Sequence, residues 1–109
     1  MVESHSAMKA LPATLQLAGI DGIYVGPADL SCSLGCSPTY DDAVFAATIS
    51  KIVDTCAKIG VPVGVHDPLG TEVDRHVAAG CQLINTLSDL PALTSVALAA
   101  RRGRAAPAD

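Results

Sequence analysis

The sequence predicts an α/β fold, because short apolar segments typical of strands alternate with segments whose apolar residues recur at helical spacing. Glycine and proline mark most of the boundaries between these segments. The predicted order is strand then helix, repeated along the chain. With 109 residues, the chain is long enough to form one domain with a hydrophobic core of its own.

The first part of the chain is predicted to hold two strands. A strand remnant at residues 1–3 precedes a helix, which Pro12 is expected to interrupt. The second strand, residues 22–25, is rich in β-branched and aromatic side chains, and a Gly-Pro pair ends it. A loop containing Pro, Ser and Gly is expected from there to residue 38.

The rest of the chain is predicted to contain three helices and two strands. The strongest helical pattern begins at a capping box opened by Thr39 and ends at Gly60. Short apolar strands are predicted at residues 61–66 and 82–87, and the last helix is expected to begin after Ser88. The helix between those strands is predicted to carry one apolar face made of Leu69, Val73 and Val77.

Composition favours a protein that acts on small molecules. The net charge is -4 and only 17% of the residues are charged, which leaves no basic surface for nucleic acid or for a membrane. No apolar run approaches the roughly 20 residues of a membrane span, and no secretory signal opens the chain. We therefore expect a cytoplasmic protein with no nucleic-acid or membrane partner.

Two carboxylates, Glu3 and Asp29, lie where predicted strands end. The carboxyl ends of parallel strands meet at one edge of a sheet, and that edge carries the chemistry in α/β folds. Carboxylate oxygens are also the ligands that hard divalent cations prefer. Helix capping is the more ordinary role for such residues, so position and residue type alone do not decide whether Glu3 and Asp29 bind a metal.

A more specific resemblance rests on three segments. They are Met-Val-Glu-Ser at 1–4, a helical segment with Ala-Met-Lys at 7–9 and Leu-Pro at 11–12, and Gly-Ile-Tyr-Val-Gly-Pro-Ala-Asp-Leu-Ser at 22–31. With these motifs the chain resembles the HpcH/HpaI aldolases, which are metal-dependent class II pyruvate aldolases. The resemblance implies a partial (β/α)8 TIM barrel, equivalent to strands five to eight with their helices, over residues 1–104, followed by a loose tail at 105–109.

The resemblance also implies an activity and a site. The family reaction cleaves a 4-hydroxy-2-oxo acid into pyruvate and an aldehyde by way of a metal-bound pyruvate enolate. Glu3 and Asp29 match the positions of the family's ligands for Mg²⁺ or Mn²⁺, with Co²⁺ as a further candidate. The implied substrate-binding loop consists of Gly26, Pro27, Ala28, Asp29 and Ser31.

The length of the chain conflicts with a complete barrel, which takes roughly 250 residues. The family's catalytic arginine and histidine belong to the first half of the barrel, so the catalytic residues stay unknown and the isolated chain is expected to be inactive or very weak. Unpaired strand edges predict a homo-oligomer. Two alternatives remain open: a non-catalytic fragment or pseudoenzyme that acts as a binding or assembly piece, and a citrate lyase β-like CoA ester lyase.

Other polar residues have structural interpretations. Asp21 is interpreted as a turn residue at the opposite rim of the sheet. His66 ends a predicted strand and is interpreted as a structural hydrogen-bonding residue, whereas His76 is expected to lie exposed on a helix. The cysteines lack C-x-x-C spacing and are expected to be free thiols, because a metal site of Cys32, Cys36 and His66 would lack a further ligand.

Overall fold

The computed structural model describes residues 1–102, and the tail predicted at 105–109 lies outside them. Three parallel strands lie side by side in chain order, namely β1 (Ile23–Val25), β2 (Val63–His66) and β3 (Leu83–Asn85). The helices are α1 (His5–Thr14), α2 (Pro27–Leu34), α3 (Ala43–Ala57), α4 (Val73–Ala78) and α5 (Asp89–Arg102). These elements confirm the predicted α/β class with a parallel sheet.

A further segment pairs with the free side of β1. Val2 forms a parallel bridge with Val25, in which the Val2 amide donates to Tyr24 O and the Gly26 amide donates to Val2 O. The next residue, Glu3, therefore lies beside Gly26 at the carboxyl end of β1. The strand remnant predicted at residues 1–3 thus exists as a single bridge.

The sheet has one covered face and one open face, because successive side chains of a strand point to opposite sides. The side chains of the covered face are all buried; they belong to Val2, Ile23, Val25, Val63 and Val65. The open face carries Tyr24, Gly64 and Leu83, which the strand register places beside one another. His66, two residues after Gly64 in β2, lies on the same face. The names covered face and open face refer to these two sets below.

Helix α3 packs against β2 on the covered face. Of the apolar residues that the sequence predicts at helical spacing, Val53 is partly buried and the others are buried: Phe45, Ile49, Ile52 and Cys56. Burying one such side chain contributes roughly 1.5–3 kcal/mol. The helix begins later than predicted, because Asp42 rather than Thr39 caps it by accepting hydrogen bonds from the amides of Val44 and Phe45.

Two predictions about the first half of the chain are wrong. Helix α1 is not interrupted at Pro12 but continues to Thr14, with Ser4 capping its start by accepting from the Ala7 amide at 3.1 Å. The loop expected between residues 26 and 38 contains the eight-residue helix α2. Pro27 occupies the first position of that helix, where a missing amide hydrogen costs no helical hydrogen bond.

The predicted apolar face of the fourth helix is also wrong. Helix α4 begins only at Val73, so Leu69 lies in the preceding loop and is exposed, and Val77 is exposed as well. The buried residue of α4 is His76, which was expected to lie in solvent. Helix α5 follows Ser88 as predicted. Among the described residues, no helix combines the length and apolar character needed to cross a membrane.

Candidate functional site

A cleft of about 290 Å³ opens at the carboxyl ends of β1 and β2. It is lined by Met1, Glu3, Tyr24, Gly26, Pro27, Ala28, Asp29 and His66. The structure therefore brings five of the six residues predicted for the metal site and the substrate-binding loop to one place. None of the described residues that line the cleft is a Lys or Arg.

Glu3 lies directly over Gly26. A Cβ atom on Gly26 would stand 2.7 Å from Glu3 Oε1 and 2.9 Å from Glu3 Cγ, distances that a real side chain does not tolerate. The absence of a side chain on Gly26 is thus what lets the Glu3 carboxylate fold against the end of β1. Gly26 does not have a positive φ, so close approach is the reason for glycine here.

Asp29 reaches the same cleft from the first turn of α2. Gly26 occupies the N-cap position without a side chain to cap the helix, and the amide of Leu30 donates to Gly26 O at 3.0 Å. The amides before Leu30 have no partner carbonyl within a helix, as at every helix start. The carboxylate of Asp29 is exposed and lies at the positive end of the α2 dipole.

Ser31 is the one predicted site residue that does not line the cleft. Its side chain is buried, and its hydroxyl donates to Ala28 O at 2.9 Å within α2. Its hydroxyl is thus engaged by the backbone of its own helix and does not face a ligand. In the structure, Ser31 is therefore a buried residue of α2, one turn or less after Asp29, and not part of the cleft wall.

Two residues that sequence reasoning did not assign to the site lie on its other side. The Tyr24 hydroxyl is 3.4 Å from His66 Nδ1, and the two rings meet edge to face with centroids 6.5 Å apart. Burial raises the pKa of the Tyr24 hydroxyl, which keeps it protonated. The sequence signal for this contact was Gly64, because a glycine inside an apolar strand marks a close approach.

A buried polar network supports the loop after β2. Asp67, which follows His66, accepts hydrogen bonds from the amides of Thr71 and Glu72 at 3.3 and 2.9 Å. Its Oδ2 lies 3.9 Å from His76 Nε2. Burial lowers the pKa of His76, while the carboxylates of Asp67 and Glu72 oppose that shift.

The other ring nitrogen of His76 completes this network. Its Nδ1 lies 2.8 Å from the Tyr40 hydroxyl, whose pKa is raised, mainly by burial. Because the neutral imidazole accepts at Nδ1, the tautomer with a proton on Nε2 fits both neighbours. Asp67, His76 and Tyr40 thus tie the end of β2 to the segment before α3.

The donor set in the cleft fits a hard divalent cation. Within residues 1–102 no group of three or more His, Cys, Asp or Glu side chains is arranged to hold a metal ion. Mg²⁺ does not require such a group, because it is commonly bound through one or two carboxylates with substrate oxygens and waters. Glu3 and Asp29 supply two carboxylates in one cleft, and their like charges favour a cation between them.

Comparisons with known proteins agree on one family. Residues 1–86 match the sequence profile of the family described as HpcH/HpaI aldolase/citrate lyase. A region of 55 residues is 44% identical to the 2-keto-3-deoxy-L-rhamnonate aldolase of Salmonella paratyphi B, and covers 50% of this chain and 19% of that protein. The matching enzyme of Salmonella typhi gives the same identity and coverage.

Solved structures give the same result for the fold. An HpcH/HpaI aldolase/citrate lyase family protein from Burkholderia cenocepacia superposes with a TM-score of 0.79 and 25% identity, covering 95% of this chain and 41% of that chain. An HpcH/HpaI aldolase from Desulfitobacterium hafniense superposes with a TM-score of 0.79, 23% identity and coverage of 96% and 41%. The chain therefore spans less than half the length of these two proteins.

Proposed function

Because the chain belongs to the HpcH/HpaI aldolase/citrate lyase family, we propose that its cleft is part of a divalent-metal aldolase site for 4-hydroxy-2-oxo acids. The products of that cleavage are pyruvate and an aldehyde. Membership of the family confirms the resemblance inferred from the motifs at residues 1–4 and 22–31. The equivalence of the sheet to strands five to eight of a (β/α)8 barrel, and the domain boundary at residue 104, are parts of the same proposal.

One observation carries the proposal: the Glu3 carboxylate folds over Gly26 in the cleft that Asp29 also lines. The Glu3 side chain is partly buried there, so its carboxylate lies against the end of β1 rather than extending into solvent. Glu3 and Asp29 would hold Mg²⁺ or Mn²⁺, with Co²⁺ as the further candidate. When bound, the cation would supply Lewis acidity toward the oxygens of the 2-oxo acid.

The chain's own groups would bind and orient the substrate. The amides at the start of α2, around Ala28 and Asp29, point out of the helix end and favour an anion such as the substrate carboxylate. The missing side chain of Gly26 leaves room for the Glu3 carboxylate beside the start of α2. Pro27 fixes the first residue of α2, so the amides that follow keep one orientation.

Catalysis needs more than these groups. The arginine implied by the resemblance has no counterpart among the described residues that line the cleft, and the resemblance assigns the family's catalytic histidine to the first half of the barrel rather than to the position of His66. Loss of one electrostatic partner of a developing charge commonly costs about 10²- to 10³-fold in rate. We therefore expect the chain alone to bind metal and pyruvate but to cleave 4-hydroxy-2-oxo acids close to the background rate.

The proposal is tested by calorimetry with Mg²⁺ or Mn²⁺ and pyruvate, together with an assay of pyruvate release from 4-hydroxy-2-oxo acids. The assay is run on the chain alone and after mixing with a first-half fragment of a homologous barrel. Metal-dependent pyruvate binding with turnover only in the mixture supports the proposal. No binding of metal or pyruvate favours the non-catalytic alternative, and strong turnover by the chain alone contradicts the fragment interpretation.

Self-association is a second part of the proposal. Leu83 on the open face is 64% exposed, and the apolar residues of α5 lie in solvent as well, namely Leu90, Leu93, Val96 and Leu98. Within the described part of the chain, β3 is an edge strand. Exposed apolar surface beside an open edge favours association. Sedimentation should show dimers or larger species, and a stable monomer at high micromolar concentration would contradict this.

A further inference from the structure

Glu3 and His66 lie on opposite sides of Gly26. Val2, Val25 and Val65 are neighbours across the sheet, so the next residues along each segment are also neighbours. Adjacent strands are about 4.8 Å apart, which places the backbones of Glu3 and His66 on the order of 10 Å from each other. The Glu3 side chain fills the space that the missing side chain of Gly26 leaves, and Glu3 and His66 line the same cleft.

The position of Tyr24 depends on a second glycine. A Cβ atom on Gly64 would lie 2.8 Å from Tyr24 Cδ2, so the Tyr24 ring lies across β2 where that side chain would stand. This placement brings the Tyr24 hydroxyl to His66, at 3.4 Å from Nδ1. The pair is therefore built by the backbone of β2, and both of its members line the cleft.

Tyr24 and His66 can donate hydrogen bonds, whereas the carboxylates of Glu3 and Asp29 only accept them. The Tyr24 hydroxyl stays protonated and is a donor as well as an acceptor. When it donates to Nδ1, the imidazole keeps its proton on Nε2, and no acceptor for that proton is found within residues 1–102. With Nδ1 occupied by Tyr24, the pair offers a hydroxyl oxygen that can accept and a ring N–H that can donate, and a substrate hydroxyl can use both.

We propose that Tyr24 and His66 bind the hydroxyl-bearing end of the 2-oxo acid, beyond the three carbons that become pyruvate. This inference rests on the proposed function, which places the carboxylate and the oxo group of the substrate beside Glu3 and Asp29. A substrate bound there extends across Gly26 toward β2. The site then prefers a 2-oxo acid with a hydroxyl at carbon 4 to one with an apolar end.

Two four-carbon acids that differ by one hydroxyl test the inference. The probes are 4-hydroxy-2-oxobutanoate and 2-oxobutanoate, each titrated with Mg²⁺ into the full chain, with pyruvate as the common reference. One net hydrogen bond corresponds to roughly a 2- to 12-fold tighter binding of the hydroxylated acid. Tyr24→Phe and His66→Ala should each bring that ratio close to one while pyruvate affinity is unchanged.

Two further variants separate binding from packing. Gly64→Ala displaces the Tyr24 ring without removing either hydrogen-bonding group, and it should also lower the affinity ratio. His5→Ala removes an exposed histidine outside the cleft and should leave the ratio at the value of the unmodified chain. A purely structural role for the pair would change stability but would not change the ratio between two matched ligands.

The outcomes separate this inference from the proposed function. If the unmodified chain binds no pyruvate in the presence of Mg²⁺, the proposed function is overturned, and the inference falls with it. If pyruvate binds but the two four-carbon acids bind equally, the inference alone is overturned. A preference for the hydroxylated acid that survives in both Tyr24→Phe and His66→Ala overturns it as well.

Discussion

The covered and open faces of the sheet are built by alternate residues of the same strands, yet they hold different kinds of side chain. Val25 and Val65 of the covered face are fully buried beneath the helices. Tyr24 and His66 of the open face are only partly buried and line the cleft. The alternation of strand side chains thus separates packing from chemistry within a few residues, so substitutions on the two faces should change different properties.

The largest expected effect is on folding. Leu11 of α1 belongs to the buried core with the covered face, and Leu11→Ala should lower the free energy of unfolding by about 2–5 kcal/mol. Leu83→Ala makes the same chemical change on the open face, where the side chain is 64% exposed, and should cost about 0.5 kcal/mol or less. Urea unfolding measures both, and equal costs would contradict the distinction between the faces.

The next effect is on metal binding at the edge of the open face. Asp29→Ala should abolish binding of Mg²⁺ or Mn²⁺, a loss larger than the roughly 10- to 100-fold that removing a supporting group costs. Asp21→Ala is the matched control, because Asp21 precedes β1 and does not line the cleft. Calorimetric titration distinguishes the two variants. Retained metal affinity in Asp29→Ala would contradict Asp29 as a ligand.

A smaller effect is expected from adding one methyl group beneath Glu3. Gly26→Ala should force the Glu3 side chain away and lower metal affinity by about tenfold, because ligand position is set by the groups that support it. Gly22→Ala is the control, since its Cβ would meet Pro62 only at an ordinary 3.5 Å. Unchanged metal affinity in both variants would mean that the close approach of Glu3 is not needed for binding.

The sequence predicts the covered face and most of the cleft, but not how the open face is organised. Periodicity locates the buried residues of α3 because apolar residues there recur at helical spacing. The family motif locates Glu3 and the start of α2, because those residues follow strand ends. The Tyr24 ring, by contrast, depends on a long-range contact across Gly64; a glycine inside an apolar strand indicates a close approach but does not indicate which residue makes it.

His76 shows the same limit from the opposite direction. A histidine that follows Asp74 and Arg75 on a short helix is typical of a solvent-facing position, and local pattern alone supports no other prediction. Its burial depends on Tyr40, more than thirty residues away in the chain, and on the carboxylate of Asp67. Buried polar groups are tolerated when they have such partners, and these partners come from other elements.

The smallest expected effect is the pH dependence of this buried network. Burial lowers the pKa of His76 below its ordinary value of about 6.5, so the unfolded chain binds a proton more readily than the folded chain. The resulting stability is fully present above about pH 6.5 and is lost as the pH falls through the lower pKa of the folded state. The free energy of unfolding should therefore decrease on acidification in that range.

Two variants isolate the contribution of His76 to the slope of unfolding free energy against pH. His76→Asn removes the titrating ring but retains an amide oxygen near the position of Nδ1, where the Tyr40 hydroxyl can still donate. Its unfolding free energy should change less between pH 7 and pH 5 than that of the unmodified chain. His5→Asn removes an exposed histidine instead and should leave the slope unchanged. If His76→Asn keeps the full slope, the pH dependence arises from other groups, and the burial of His76 as a neutral imidazole is contradicted.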